Sequence, residues 1–354
     1  MIKQDIELKI LKITDGKAGH ITVTDGVIEA IKKHYKVQII ELNVTLRVKF
    51  FLSLLKFIFN SDWLSKKISK DDWLVPFFYK NYEKPSQQID LIISSGGDTS
   101  FINIWLSNIL DVNNIYCSGL RGIKPERFSL IISTLELGLN NSIILEIAPT
   151  KIGSKTISHD ATLFCKDRGF NEQEKYFVLL IGGDGAGYRY QNKDLENLVK
   201  NFMELTVKSE AKALITTSRR TGIENEKFLK EQFSKYDEYV TYSVYYQQDP
   251  EKVVAVYLHL ASAIFVTEES GSMITESLFS KKPLFTLRPK TVKDQKRYEL
   301  FLNDLYHKKR MILLNLEDDF SSIDVESFGH TYIEKTPIEE LEEKIKPYIK
   351  EFVS

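Results

Sequence analysis

"YFVLLIGGDGAGYRY", residues 176–190, decides how this chain is read. Its first six residues are aromatic or aliphatic without interruption, as a strand covered on both faces requires. The glycines that follow let the backbone turn tightly into the next segment, "NKDLENLVKNFMELTV", which has a helical period. Strand, glycine-rich turn and helix in that order form the unit of a parallel α/β sheet. The pattern repeats downstream, with strands at "KALITTS", "EYVTY", "SAIFVTE" and "KPLFTL" and helices between them. Upstream it repeats again at "ELKILKIT", "KVQIIEL", "DLIISS", "NIYCS" and "FSLIIST". The fold class expected is therefore α/β, with two Rossmann-like, doubly wound domains facing each other across a cleft.

At 354 residues the chain exceeds one ordinary core, and domains of about 150 residues fit the two halves. The polar stretch "CKDRGFNEQEKY", residues 165–176, is the expected linker, giving domains at 1–168 and 169–335. The last segment, "TPIEELEEKIKPYIKEFV", starts as a helix should, with a Thr cap, a Pro at the first helical position and acidic residues. It forms a terminal element at 336–354, which Pro347 is expected to bend or end early.

A net charge of -1, with 43% hydrophobic and 27% charged residues, shows no overall bias toward nucleic acid. The amino terminus, "MIKQDIELKILKIT", has acidic residues and no cleavage pattern, so no signal peptide is expected. No stretch approaches the roughly 18 apolar residues of a spanning helix. Cys117 and Cys165 are far apart and lie in no C-x-x-C, so a disulfide framework or structural zinc site is not expected and a reducing cytoplasm fits.

Two facing Rossmann-like halves suit periplasmic-type binding, some epimerases and nucleotide-sugar glycosyltransferases, so the sites must decide. Ligands of open α/β sheets lie beyond the carboxyl ends of strands. After "ITTS" come Ser218, Arg219 and Arg220, and a guanidinium there can grip a phosphate or carboxylate through two parallel hydrogen bonds. Without a ligand the same residues make a solvated basic turn or interdomain salt bridges. In "GGDGAGYRY", Gly183, Asp184 and Gly185 can form an anion nest, with Arg189 adding charge, or simply a tight turn. The spacing matches neither G-x-G-x-x-G nor a P-loop. In "TEESGSMITES", Glu268, Glu269, Ser270, Gly271, Ser272, Met273 and Glu276 surround a helix start. Ser270 and Ser272 suit N-caps, the helix end suits a diphosphate, and Glu276 or Glu269 can accept both hydroxyls of a ribose.

In the first half, "ITDGKAGH" places Asp15, Lys17 and His20 on a flexible strand-end loop, where a general base would sit. "SSGGDTS" offers Asp98 or Thr99 as a helix cap. Residues 46–67, "LRVKFFLSLLKFIFNSDWLSKK", read as a basic, apolar helix with an amphipathic tail. Lys49, Phe50, Lys56 and Trp63 would touch anionic lipid or an acceptor. The alternative is a core helix with snorkelling lysines.

"DGKAGH", "ISSGGDTS", "LLIGGDGAGYRY", "ITTSRRT" and "TEESGSMITES" together resemble the mitochondrial-fission ELM-type proteins and their bacterial relatives, over roughly residues 10–290. The resemblance implies a GT-B fold. The first domain would bind the acceptor, the second the nucleotide sugar, and the final helix would cross back to the first. It implies a glycosyltransferase that needs no cofactor or metal ion, because helix dipoles and basic side chains stabilise the leaving diphosphate. Asp15, or alternatively His20, would deprotonate the acceptor. Arg219 and Arg220 would neutralise the phosphate, and Glu276 would hold the ribose. A lipid-linked or envelope glycan acceptor and a peripheral place on the cytoplasmic face of the membrane complete that expectation. The alternatives are a non-catalytic adaptor in a GT-B shell, as in mitochondrial fission, and a sugar-nucleotide epimerase, which would need a carboxylate pair such as Glu268 with Glu269.

Overall fold

The structure, a computed structural model, describes residues 4–69, 71–149, 164–293, 296–327 and 329–352. The chain divides into two compact units, Met1–Lys151 with Lys335–Ser354, and Ile152–Glu334.

The first unit holds β1 (Gln4–Thr14), α1 (Ala18–Lys32), β2 (Tyr35–Asn43), β3 (Thr45–Leu46), α2 (Phe51–Asn60), α3 (Asp62–Ile68), α4 (Val75–Phe78), β4 (Tyr79–Lys80), β5 (Leu91–Ser95), α5 (Ser100–Leu110), β6 (Asn113–Cys117), β7 (Leu130–Ser133) and β8 (Ser142–Ile144). Six strands form a parallel sheet in the order β2-β1-β5-β6-β7-β8, while β3 and β4 pair separately. The order reverses between β1 and β5. The loops after those two strands therefore flank the gap in which ligands of such sheets lie.

Residues 46–67 do not form one helix. Leu46 pairs in a strand, α2 ends at Asn60, and the Ser61 side chain accepts from the Leu64 N–H at 3.4 Å to start α3. Leu55 and Phe59 of α2 are fully buried, and the Phe59 ring packs on Phe101 and Trp105 of α5. Buried Asn103 of α5 ties two strands, donating to Ser94 Oγ at 2.9 Å and the Ile115 carbonyl at 3.1 Å.

The second unit holds β9 (Tyr176–Ile181), β10 (Tyr188–Arg189), α6 (Asn192–Lys208), β11 (Lys212–Thr217), α7 (Ile223–Phe233), β12 (Val240–Val244), α8 (Val254–Leu260), β13 (Ala261–Thr267), α9 (Gly271–Leu278), β14 (Leu284–Arg288), β15 (Thr291–Val292), α10 (Lys296–His307) and β16 (Ile312–Asn315). Its parallel order, β12-β11-β9-β13-β14-β16, is the dinucleotide-fold order and reverses between β9 and β13. Every residue of β9 is buried, as its apolar run requires. A capping box between Gln191 and Asp194 starts α6.

Residues 165–176, expected as the linker, belong to the second unit. Arg168 donates to Glu251 at 2.8 Å, and the Phe170 ring faces Tyr176 and Tyr242, so this stretch closes the edge of the second core.

The terminal helix α11 (Pro337–Phe352) returns to the first unit. Thr336 and Glu339 exchange hydrogen bonds at its start, so the expected Thr cap is present. Pro347 neither ends nor shortens it. Pro347 is exposed, so the carbonyl it cannot bond faces water, while Leu341, Ile345 and Ile349 on the opposite face are buried with Val27 and Ile31 of α1. That buried stripe, at i, i+4 and i+8, outweighs one missing hydrogen bond.

Candidate functional site

Three loops meet at the reversal point of the second sheet, and glycines permit their approach. A Cβ on Gly183, whose φ is +106°, would lie 2.5 Å from the Arg220 carbonyl carbon. One on Gly182 would strike Glu269 Oε1 and come within 3.1 Å of Arg220 Nη2, and one on Gly185 would strike Arg220 Nη1. The glycine-rich loop thus clears room for a protein guanidinium. Ser218 donates to the Gly182 carbonyl, and Thr221 Oγ1 donates to the Ile181 and Gly182 carbonyls, both at 3.2 Å.

The two arginines have different fates. Arg220 Nη2 stands 3.6 Å from Glu269 Oε1. Arg219 is exposed, and among the described residues its guanidinium has no partner; only its carbonyl is held, accepting from Gln247 Nε2 at 3.0 Å. Asp184 accepts from the Tyr190 N–H at 3.0 Å and closes its own loop. Arg189, between buried Tyr188 and Tyr190 on an alternating strand, turns outward, away from the converging loops.

The carboxylates after β13 also divide. Glu268 is fully buried and bidentate to Arg288, at 2.5 and 2.8 Å, and it accepts from the Tyr306 hydroxyl. Its carboxylate is thus held in a buried ion pair. Glu269 is 2% exposed; it accepts from the Tyr190 hydroxyl at 2.7 Å and from Thr267 Oγ1 at 3.2 Å. Burial pushes its carboxyl up to about 7, against those hydrogen bonds and the Arg220 charge. Glu276 lies one turn into α9 and, among the described residues, its carboxyl has no hydrogen-bond or ion-pair partner. Burial alone pushes it up to about 7.

Ser270 holds the N-cap position of α9 without using its side chain as a cap, and Ser272 is exposed in the first turn. The N–H groups of Ser272 and Met273 find no acceptor among the described residues, whereas the Gly271 N–H bonds the Glu269 carbonyl at 3.2 Å. Gly271 also lets the Tyr298 ring approach, 3.3 Å from where its Cβ would be. Taken singly, free helix N–H groups and an unpaired guanidinium can each bind a phosphate, and an unpaired carboxyl can bind a hydroxyl.

The first unit repeats the plan at its own reversal point. Asp15, after β1, accepts from Lys17 Nζ at 2.7 Å and faces His20 Nδ1 at 2.9 Å, with its side chain only 3% exposed. Burial would raise its carboxyl, but the bonds from Lys17 and His20 outweigh that and hold it below the usual carboxylate range. Lys17 Nζ also reaches Asp98 Oδ2 at 2.7 Å, linking the loops after β1 and β5. The His20 ring lies where a Cβ on Gly96 would be, and Gly96 has a φ of +92°. Neither Asp98 nor Thr99 caps α5 with its side chain: Asp98 holds Lys17, and the Thr99 hydroxyl bonds the Ser95 and Gly96 carbonyls.

Phe50, at the N-cap of α2, and Leu54 and Phe57 within it are 73%, 39% and 68% exposed and share one face at i, i+4 and i+7. Trp63 is 68% exposed, with Lys67 Nζ 4.9 Å above its ring, and Lys49 is exposed nearby. Lys56 is half-buried and donates to the Arg121 carbonyl at 2.9 Å.

Sequence reasoning misses Tyr190, Arg288, Tyr306 and Arg121, because each meets its partners across a long separation and no local pattern marks it. Among the described residues, no group of three or more His, Cys, Asp or Glu side chains could hold a metal ion, and no helix is long and apolar enough to cross a membrane. Cys117 and Cys165 are both free and buried.

No curated protein matches this chain. Among solved structures, UDP-GlcNAc 2-epimerase from Methanocaldococcus jannaschii is similar at 16% identity and a TM-score of 0.61, covering 98% of this chain and 100% of that one. A glycosyltransferase from Rickettsia africae ESF-5 is similar at 9% identity and a TM-score of 0.51, covering 98% and 94%. Arabidopsis thaliana UGT89C1, solved with UDP, is similar at 11% identity and a TM-score of 0.50, covering 99% and 96%. These likenesses carry the fold. The family model of mitochondrial fission ELM1 matches residues 18–343. With two six-stranded parallel sheets of GT-B type and that match over most of its length, the chain belongs to the mitochondrial fission ELM1 family.

Proposed function

We propose that this chain is a nucleotide-sugar-dependent glycosyltransferase that works without a metal ion on a membrane-associated acceptor. One observation carries the reading. Beyond the carboxyl ends of β11 and β13, the Arg219 guanidinium, the Glu276 carboxyl and the first-turn N–H groups of α9 lack partners among the described residues, while Arg220 is paired with Glu269 and Arg288 with Glu268. Arg219 and the helix start would hold the donor diphosphate and stabilise it as it leaves. Glu276 would accept the ribose hydroxyls. Arg220, Glu269 and the glycines would position the loops that carry them.

On the first unit, His20 is the better base and Asp15 its orienting partner. With Nδ1 donating to Asp15, the neutral ring presents Nε2 as a proton acceptor. The depressed, 3% exposed Asp15 carboxylate has little room and little basicity for an acceptor hydroxyl. The exposed stripe of α2, with Lys49, Lys66 and Lys67 around it, suits the surface of an anionic bilayer and supports a lipid-linked or envelope glycan acceptor.

The epimerase reading needs Glu268 and Glu269 as an accessible pair, and the sealed Glu268–Arg288 bridge speaks against it. An adaptor would use the α2 stripe and leave the second-unit cluster idle.

A thermal-shift panel of UDP, GDP, ADP, TDP and CMP is expected to yield one nucleotide that stabilises the parent and neither Arg219→Ala nor Glu276→Gln. At about 100 times its dissociation constant a ligand adds roughly 2.7 kcal/mol. No shift with any of them would favour the adaptor.

Glu276 also sets a pH dependence. The folded chain keeps its carboxyl protonated up to about pH 7, whereas the unfolded chain releases that proton near 4.5. The native state therefore binds more protons between these values, and stability falls as pH rises through them, by roughly 3 kcal/mol. Melting temperatures measured from pH 5 to 8 should fall less steeply for Glu276→Gln, and equal slopes would mean that Glu276 is already charged at pH 5.

Once transfer is assayed, His20→Ala and Asp15→Asn should each lower kcat by about 10²- to 10⁴-fold with little change in KM for donor. Parental turnover by Asp15→Asn would remove the orienting role. Co-sedimentation with anionic vesicles should drop for Phe57→Asp with Trp63→Ala and persist in the nucleotide-site variants; unchanged binding would place the membrane contact elsewhere.

A further inference from the structure

The first unit carries a concavity to which no role has been given above. A cavity of about 150 Å³ lies between α2, the start of α5 and the loop after β6, lined by Leu52, Lys56, Phe101, Tyr116, Arg121 and Ile123, with Gly97 at the turn after β5. Its two cations face no acid. Among the described residues the Arg121 guanidinium has no partner, and Lys56 Nζ donates only to the Arg121 carbonyl. Two acid-free cations, one a planar fork, match a phosphate rather than a neutral ligand.

The backbone is shaped to hold them. Arg121 has a φ of +51°, a left-handed conformation uncommon for a long side chain, and the bond from Lys56 fixes it there. A Cβ on Gly97 would lie 2.6 Å from Arg121 Nη1, and one on Gly122 would strike the Lys56 amine, so glycines clear the place of each cation. A third group points to a ligand independently. Tyr116, a residue of the cavity wall, is fully buried; its ring stacks on Phe128 at 4.6 Å, and its hydroxyl, facing the Ser100 and Ser118 side chains, completes no well-formed hydrogen bond among the described residues. A buried hydroxyl left unbonded is costly unless a ligand completes it. Burial pushes it up to about 12, so it remains a donor at neutral pH.

Leu52, Phe101 and Ile123 make an apolar side to the wall, beside Ser53 and Ser100, and Leu52 sits on the helix whose opposite face exposes Leu54 and Phe57. We infer that the cavity binds the phosphate-bearing end of an amphiphile, with the phosphate on Arg121, Lys56 and the Tyr116 hydroxyl and the first part of its apolar chain along Leu52 and Ile123. Gly96, under the His20 ring, and Gly97, under Arg121, are neighbours, which puts this ligand one residue from the proposed base. That such a ligand is the sugar acceptor rests on the transferase reading; the binding site itself does not.

The test is calorimetric titration of the full chain with oleoyl lysophosphatidic acid below its micelle concentration, beside glycerol 3-phosphate and monoolein. Lysophosphatidic acid should bind at least tenfold more tightly than glycerol 3-phosphate, and monoolein should not bind. Arg121→Ala should weaken lysophosphatidic acid at least tenfold, and Leu52→Ala should weaken it severalfold while leaving glycerol 3-phosphate unchanged. Equal affinity for glycerol 3-phosphate would assign the site to a soluble phosphate ester and overturn the amphiphile. Equal binding of monoolein, or an unchanged affinity in Arg121→Ala, would overturn the phosphate. Melting temperature and the nucleotide shift, read on the same variants, report folding. A nucleotide shift without lysophosphatidic acid binding defeats this inference alone; the reverse result keeps the cavity and defeats the transferase.

Discussion

The pairing of Arg220 with Glu269 is the constraint around which the second unit is arranged. A carboxylate 2% exposed is costly unless it is paired and hydrogen-bonded, and Glu269 draws on Tyr190, Thr267 and Arg220, supplied by three different strand ends. Meeting that need obliges the loop after β9 to be made of glycine, since a side chain at 182, 183 or 185 would occupy the place of Glu269 or Arg220. It also fixes which arginine is free. With Arg220 turned toward Glu269, its neighbour Arg219 faces solvent, its guanidinium unpaired among the described residues.

The first unit reaches the same result with different chemistry. Lys17 bridges Asp15 and Asp98, and so ties the loops after β1 and β5 across the reversal of strand order. A glycine again yields to a working side chain, here Gly96 to His20. Parallel sheets leave their carboxyl edges as the natural place for ligands, and in both units a bridging charge pair stiffens that edge while a neighbouring group stays available.

What the sequence shows and what it hides follow from range. The buried run of β9 and the capped start of α11 are local patterns, visible in a few adjacent residues. Short edge strands such as β8 and β16, three and four residues long, carry too little pattern to stand out. The place of Arg219 just past a strand is legible because "ITTS" marks the strand before it. The role of the glycines in "GGDGAGYRY" is not, because the guanidinium they accommodate lies more than thirty residues away. Glu268 and Glu269 look alike in sequence; only Arg288, Tyr306 and Tyr190 separate them. Pro347 misleads because its effect depends on which face of the helix meets water.

The contrast between paired and unpaired charges bears on enzyme against scaffold. A scaffold gains nothing from a carboxyl that burial drives up to about 7 with no partner to compensate; glutamine or leucine at 276 would fold at least as well. The same holds for Tyr116, whose buried hydroxyl phenylalanine would lack at no loss of packing. Such groups are unfavourable in the free protein and become favourable only when a ligand supplies the missing hydrogen bonds. Their position toward the carboxyl edges of two sheets is what ligand binding would require and what folding alone does not.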